Sequence, residues 1–226
     1  MSTPDTKDRI LDTAERLFAE QGYAATSLRS VTSEAEVNLA AVNYHFGSKD
    51  ALLVALLHRR IDPINTERLE MLSAHEAECA GREPHGTDPR IDVDTILRAF
   101  LSPVFRQSRT WEESGTHFLQ FIGRIHSVSD DRVRKMIFDL FEEVFLRFLS
   151  ALERALPELS QEEVFWRLQF VVGSMAHTLL WRRPLIESDY FTWPEPDLDQ
   201  TIEKLVAFCT NGINAPPDRS TKGGGQ

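Results

Sequence analysis

Apolar residues recur along most of the chain at intervals of three and four, the spacing that places them on one face of an α-helix. The longest such stripe is continuous from about residue 130 to 156. We find no convincing strand pattern, and the chain is therefore predicted to be all-α. Helices are predicted over residues 7–21, 48–79, 93–107, 111–126, 130–156, 161–181 and 198–211.

Glycine and proline mark where these helices end. Gly22 is expected to end the first helix as a C-terminal cap. Pro63 is expected to bend the long fourth helix or to end its first part, and Arg183-Pro184 to stop the helix that starts near 161. Residues 81–92 have the composition of an exposed loop, and the stretch from 214 to 226 that of a disordered tail.

Residues 26–49 form a different pattern, two short amphipathic helices separated by a tight break. Thr26 or Ser27 can cap the first, Asn38 the second, and Ser48 a third helix that follows. The exposed side of the second helix carries small residues with one amide, one phenol and one imidazole, slim enough to enter a major groove. A capped helix, a tight turn and a short second helix is the helix-turn-helix pattern.

Several short motifs in and around this pattern follow one another in a specific order and spacing. They are Leu17-Phe18, Gly22-Tyr23, Thr26-Ser27-Leu28, Ala35-x-Val37, Tyr44-His45-Phe46 and Ser48-Lys49-Asp50-x-Leu52-Leu53. Together they resemble the N-terminal domain of TetR-family transcriptional repressors. The resemblance implies a DNA-binding repressor. The chain departs from the family at Val31-Thr32, where Ile-Ala is usual, and at Glu36 and Ala40, where glycine is usual.

The resemblance also implies which side chains meet DNA. The phosphate-facing positions are Thr26, Ser27, Arg29, Tyr44, His45 and Lys49, and the base-facing positions are Asn38, Leu39, Ala40 and Asn43. Asparagine can pair with adenine through two hydrogen bonds, and leucine or alanine can meet a thymine methyl. Two alternatives stay open, that Asn38 is only a cap and that Tyr44 only packs. Tyr23 is expected in the core.

The helix over 161–181 carries apolar residues along two lines, so it needs two partners. It is either central in a bundle or part of a homodimer, and TetR-like proteins generally dimerise through their last two long helices. A two-fold dimer reads a palindrome whose half-sites lie about one helical turn apart. The predicted dimer interface comprises Trp166, Phe170, Gly173, His177, Ile202 and Leu205.

Length and charge refine this picture. The 226 residues are predicted to comprise a helix-turn-helix domain over 1–50 and a larger helical effector-binding and dimerisation domain over 51–213. The net charge is −10, of which residues 1–60 carry only −1. Binding should therefore use few phosphate contacts and depend weakly on salt. With no apolar membrane-spanning run, no signal peptide and two distant cysteines, Cys79 and Cys209, we expect a cytoplasmic protein without membrane contact.

The sequence carries no enzymatic motif. His117 and His126 lie nine residues apart, on opposite faces of a helix, and no metal-ligand pair, phosphate loop or nucleophile elbow is present. We therefore expect no catalysis, no cofactor and no metal, with His126 and His177 serving in the core or in a pocket.

The region between 93 and 180 is rich in aromatic residues, which suits an apolar effector pocket or simply fills a core. Residues 118–126 and 151–178 resemble PsrA-like regulators of fatty-acid metabolism, which implies a long-chain fatty acid or acyl-CoA as effector. The candidate pocket residues are Phe100, Trp111, Phe118, Phe121, Ile122, Arg124, His126, Met175 and His177. The alternatives are a drug- or aromatic-responsive repressor of an efflux gene and a helical protein-binding scaffold without DNA specificity.

Overall fold

The computed structural model describes residues 6–80, 92–109, 118, 131–186 and 197–217. Within these ranges the chain forms eight helices and no strand, which confirms the all-α prediction. The helices are α1 (Thr6–Gln21), α2 (Leu28–Glu34), α3 (Leu39–His45), α4 (Lys49–Ala80), α5 (Val93–Arg109), α6 (Asp131–Ala155), α7 (Gln161–Ile186) and α8 (Leu198–Ile213). Of the predicted helix over 111–126 only Phe118 is described, and of the predicted loop over 81–92 only Asp92.

Contacts within the chain group its residues into two compact units. The first consists of Met1–Asn65 and Arg106–Glu142, and the second of Thr66–Phe105 and Glu143–Gln226. The predicted domain boundary at residue 50 falls inside the first unit and stays a prediction. No helix in the described ranges is long and apolar enough to span a membrane.

The core of the first unit is built on α1 and the start of α4. The predicted stripe of α1 is buried, and so are four leucines of α4, Leu52, Leu53, Leu56 and Leu57. Gly22 ends α1 as predicted: it adopts the left-handed conformation, with φ +85°, and its N–H donates to the Phe18 carbonyl at 3.0 Å. The periodic apolar stripes are therefore the faces that pack.

Ion pairs join α1 to α4 beside this core. The Glu15 side chain is only 1% exposed, and it accepts hydrogen bonds at 2.8 Å from both Arg59 and Arg60. Arg59 also donates to Asp12 at 2.8 Å. A carboxylate can be buried here because two guanidinium groups replace the water it loses.

Proline ends fewer helices than predicted. Pro63 does not end one, because α4 is continuous from Lys49 to Ala80, with Ile61 and Ile64 buried on either side of the proline, and the alternative of a bend at Pro63 stays a prediction. Pro184 does not stop α7, which continues to Ile186. A proline costs a helix one backbone hydrogen bond, and burial of the flanking side chains offsets that cost at Pro63. At Pro184 only two further residues follow, so the loss falls in the final turn.

The last helix is anchored in the second unit. Its predicted inward residues Ile202, Leu205, Val206 and Cys209 are all buried, and burial raises the pKa of the Cys209 thiol to about 11. At its C-terminal end, the Arg167 guanidinium donates to the carbonyls of Ile213, Ala215 and Pro216. The predicted disordered tail thus begins with residues that this guanidinium holds, and residues 218–226 lie outside the described part.

Candidate nucleic-acid interface

Three side-chain caps build the helix-turn-helix. The Ser27 hydroxyl accepts from the backbone N–H of Ser30 at 3.0 Å, and the Ser30 hydroxyl accepts from the N–H of Ser27, also at 3.0 Å. The Asn38 carbonyl oxygen accepts from Ala41 N–H at 2.7 Å, which caps α3. Ser48 caps α4 through Ala51 N–H at 3.1 Å. Of the two predicted caps for α2, the structure therefore selects Ser27.

The turn between α2 and α3 is held from α1. Glu36 lies in the left-handed region, with φ +51°, although it is not glycine. The Arg9 guanidinium donates to the backbone carbonyl of Ala35 and, at 3.0 Å, to that of Glu36. Val37 N–H closes the turn by donating to the Thr32 carbonyl at 3.0 Å. The contacts from Arg9 help to hold Glu36 in a conformation that a side chain with a Cβ rarely adopts.

Replacing Glu36 with glycine should raise the free energy of unfolding by about 0.5–1 kcal/mol. The left-handed cost of about 1–2 kcal/mol disappears, and the greater unfolded-state entropy of glycine takes back about 0.5–1 kcal/mol. Urea denaturation would measure the gain. Glu36→Gln is the matched control: it removes only the charge and should show no gain. A gain of the same size in both variants would mean that the charge, and not the backbone, carries the cost.

The second helix of the helix-turn-helix, α3, presents one continuous exposed face. At 100° per residue, Leu39, Asn43, Ala40 and Tyr44 follow one another within an arc of about 140°. All four are exposed, Leu39 to 40%, whereas Val42 on the opposite side is fully buried. The structure therefore brings together four of the residues that the sequence assigned to DNA.

The candidate phosphate contacts other than Tyr44 lie before and after this exposed face in the sequence. Ser27 and Arg29 are exposed at the start of α2, and His45 is exposed at the end of α3 with its ring 5.2 Å from that of Tyr44. The Lys49 ammonium lies 4.2 Å from the centre of the Tyr23 ring and 3.5 Å from the Ala24 carbonyl. Burial lowers the pKa of Lys49, and the neighbouring Asp50 opposes that shift.

Thr26 does not fit the predicted surface set. Its side chain is 2% exposed, and its hydroxyl lies 2.9 Å from the Gly22 carbonyl and 3.2 Å from the Leu17 carbonyl. A hydroxyl used in this way ties the loop after α1 in place and does not reach a phosphate. Tyr23 is buried as expected, with its hydroxyl donating to Asp50.

Two of the predicted pocket residues meet in the second unit, around a cation that the sequence analysis missed. The buried Arg68 lies over the Phe100 ring at 4.5 Å, and its Nε donates to the Phe100 carbonyl at 2.8 Å. Its Nη2 lies 3.4 Å from the sulfur of Met175. Burial lowers the pKa of Arg68 to about 10. The burial of Arg68 could have been predicted from its position in the apolar stripe of α4, four residues from both Ile64 and Leu72.

The other candidate pocket residues do not join this group in the described structure. His177 is exposed on α7, where its ring stacks on Trp181 at 6.3 Å, away from the group around Arg68, and its place in an effector pocket stays a prediction. Phe118 is buried and belongs to the first unit. Trp111, Phe121, Ile122, Arg124 and His126 lie outside the described residues.

Helices α7 and α8 share an exposed apolar surface, which we call the aromatic face and define by Trp166, Phe170 and Phe208. Phe170 is 67% and Phe208 70% exposed, and the Trp166 and Phe170 rings stack at 6.5 Å. A shallow groove here is lined by Gln169, Phe170, Gly173, Ser174, His177, Thr178, Leu205 and Phe208.

Part of the predicted dimer interface is corrected by this arrangement. Ile202 points into its own unit and is buried there, and Leu205 is mostly buried and reaches only the wall of the groove. Phe208 is the exposed residue of α8 that the sequence analysis missed. Phe208 stands in an apolar run between Ala207 and Cys209, so periodicity does not show which of these side chains is exposed, and only the packing of α8 reveals it.

A capped helix, a tight turn and a second capped helix with a slim exposed face define a helix-turn-helix DNA-binding regulator. Residues 10–56 match the family described as bacterial regulatory proteins, tetR family, and residues 98–212 match the tetracyclin repressor-like C-terminal domain. The second match alone covers half of the chain. The chain therefore belongs to the TetR family of bacterial transcriptional regulators.

Curated relatives match only part of the chain. An uncharacterized HTH-type transcriptional regulator in the dhlA 5' region of Xanthobacter autotrophicus is 36% identical over 94 residues, 42% of each chain. The HTH-type nicotine-responsive transcriptional repressor HdnoR of Paenarthrobacter nicotinovorans is 40% identical over 55 residues, 24% of this chain and 28% of its own. Across three of the matched relatives, the aligned segments span only 18–42% of the relative's length.

Solved structures share the fold over nearly the whole chain. The fatty acid degradation regulator FadR from Bacillus halodurans superposes with a TM-score of 0.60 at 14% identity, covering 96% of this chain and all of FadR. At so low an identity, the superposition shows only that the two chains share a fold. A shared fold does not determine the effector.

Proposed function

We propose that this chain is a ligand-responsive repressor that binds a palindromic operator as a homodimer and leaves it when a small hydrophobic effector binds. The observation that carries the proposal is the exposed face of α3, held by the Asn38 cap and by the turn that Arg9 contacts. An exposed helix face of slim side chains that is pre-organised in this way fits the major groove.

Affinity for DNA should come from a few placed contacts, because the first 60 residues are not basic overall. Ser27, Arg29, Tyr44, His45 and Lys49 are the proposed phosphate contacts. Each phosphate that a cation neutralises releases counterions, so few such contacts give a shallow dependence of affinity on salt. Arg29 and Lys49 would then be the main charged side chains that contact DNA phosphates.

The aromatic face supports the homodimer. Large exposed apolar patches are rare on monomers, and burying one phenylalanine stabilises an assembly by about 1.5–3 kcal/mol. Trp166, Phe170, Gly173 and His177 recur along α7 at intervals of three and four, which suits packing against a second copy. We propose that α7 and α8 of two chains form a four-helix bundle over this face.

A long-chain fatty acid or acyl-CoA is our first candidate effector. Phe100 and Met175 contact Arg68 in the second unit, and the Phe148 ring lies 5.0 Å from that of Phe100, which brings apolar groups and one charge together, as an acyl ligand requires. The resemblance of residues 118–126 and 151–178 to PsrA-like regulators supports the same class of effector. A regulator of this kind acts where the chromosome is, so we place it in the cytoplasm.

Fluorescence anisotropy with the palindromic DNA upstream of the protein's own gene would test this proposal, at two salt concentrations and with or without a long-chain acyl-CoA. We expect sequence-specific binding with a shallow salt dependence, weakened at least about fivefold by the acyl-CoA, since allosteric coupling spans about 5–150-fold. Relief by the acyl-CoA would support both parts. Specific binding that the acyl-CoA leaves unchanged would retain the regulator and exclude this effector.

The second candidate is a repressor that answers an aromatic drug-like compound and controls an efflux gene. The nicotine-responsive relative HdnoR favours it, although the shared segment covers only 24% of this chain. Nicotine in the same anisotropy assay would support this reading if it, and not the acyl-CoA, weakened binding. No preference for any DNA in a wider selection would favour the helical scaffold.

A further inference from the structure

We propose that each operator half-site is read at A·T pairs, with Leu39 and Ala40 against thymine methyl groups and Asn43 paired with adenine. This inference rests on the proposed function and assigns the chemistry of the bases that the same surface recognises. It also excludes Asn38 from reading adenine through two hydrogen bonds.

The exposed face of α3 lacks the side chains that read guanine. Arginine and lysine make the commonest specific contact, donating to O6 and N7 of guanine. The helix from Leu39 to His45 contains neither of them. Its exposed groups are aliphatic carbon, one free amide, a phenol and an imidazole, so the groove-facing part of the helix favours A·T pairs over G·C pairs.

The two asparagines differ in what their amides are free to do. Reading adenine through two bonds requires the amide oxygen to accept from N6 and the amide nitrogen to donate to N7. The Asn38 oxygen already accepts from Ala41 N–H at 2.7 Å, and losing this cap would cost helix stability. Asn43 is exposed, one helical turn further on and on the same face as Leu39. The structure therefore points to Asn43.

Leu39 and Ala40 have the matching apolar character. Leu39 is 40% exposed at the first position of α3, so its methyl groups are available for a contact that would bury them. Ala40 beside it is short and lets the helix approach the bases closely. Leu39 and Asn43 lie about 6 Å apart along the helix axis. This distance is close to two base-pair steps of about 3.4 Å, so one half-site presents both contacts.

Selection from a random DNA library with the full-length protein would first define the half-site. Each thymine would then be replaced by deoxyuridine, which lacks only the methyl group, and each adenine by 7-deazaadenine, which lacks only the N7 acceptor. Deoxyuridine at one or two thymine positions per half-site should lower the affinity about fourfold, because each replacement removes one methyl group that the protein would bury. At one adenine it should fall about fivefold or more.

Three variants assign these effects to residues. Leu39→Ala should bind weakly and lose its sensitivity to deoxyuridine at one position, and Asn43→Ala should lose its sensitivity to 7-deazaadenine. Asn38→Ser is the matched control, because serine keeps the cap and removes the amide. It should keep both sensitivities, and all three variants should retain the helical circular dichroism of the parent.

Half-sites whose strongest positions are guanines, or whose thymines tolerate deoxyuridine, would overturn the readout and leave the regulator intact. A 7-deazaadenine effect that disappears in Asn38→Ser and persists in Asn43→Ala would overturn the assignment to Asn43. A selection that enriches no sequence would overturn the proposed function, and the readout with it.

Discussion

If the proposed homodimer forms over the aromatic face, replacing Phe170 with glutamate is expected to give a monomer and to weaken operator binding at least about 100-fold. Phe170 is 67% exposed and stacks on Trp166 in the aromatic face. In a two-fold interface the change appears twice, and each copy would bury an unpaired carboxylate at a cost of several kcal/mol. A monomer reads one half-site only. Sedimentation equilibrium would measure the dimer, and anisotropy the operator affinity.

The matched control for this prediction is Phe138→Glu. Phe138 on α6 is 70% exposed, like Phe208 on the aromatic face, but it lies on a different helix. We expect Phe138→Glu to remain dimeric and to bind operator as the parent does, and Phe208→Glu to behave like Phe170→Glu. A Phe170→Glu protein that stays dimeric at micromolar concentration would place the interface elsewhere.

Replacing Glu15 with alanine is expected to reduce the free energy of unfolding by about 3 kcal/mol, near the lower end of the range for breaking a buried ion pair. The Glu15 carboxylate is 1% exposed and binds Arg59 and Arg60, which join α4 to α1. Without it, both guanidinium groups lose their shared partner. Because the two arginines keep some contact with water, part of the loss is recovered. Urea denaturation monitored by circular dichroism would measure the difference.

The comparison is with Arg16→Ala, which removes ion pairs to Glu20 and Glu34 on the surface of the same helix. Exposed pairs contribute at most about 1 kcal/mol, so this variant should stay close to the parent. Equal losses in Glu15→Ala and Arg16→Ala would show that burial of the Glu15 carboxylate is not what makes its ion pairs important.

Features that depend only on neighbouring residues could be predicted from the sequence. A cap acts on the next two or three backbone N–H groups, and an apolar stripe repeats within one helix, so both can be recognised locally. For this reason the caps at Asn38 and Ser48, the C-terminal cap at Gly22 and the two helices of the helix-turn-helix were predicted where the structure has them. The family resemblance rests on the same local features.

Which partner each helix face meets could not be predicted from the sequence and follows from how the helices pack. Periodicity marks α8 as amphipathic, but packing buries Ile202 and leaves Phe208 exposed. The hydroxyl of Thr26 looks available until the loop turns it toward the Leu17 carbonyl. Glu15 and Arg68 are buried charges, and the groups that permit their burial lie 44 and 32 residues away in the chain. Contacts at such separations have no local signature, which is why the fold had to supply them.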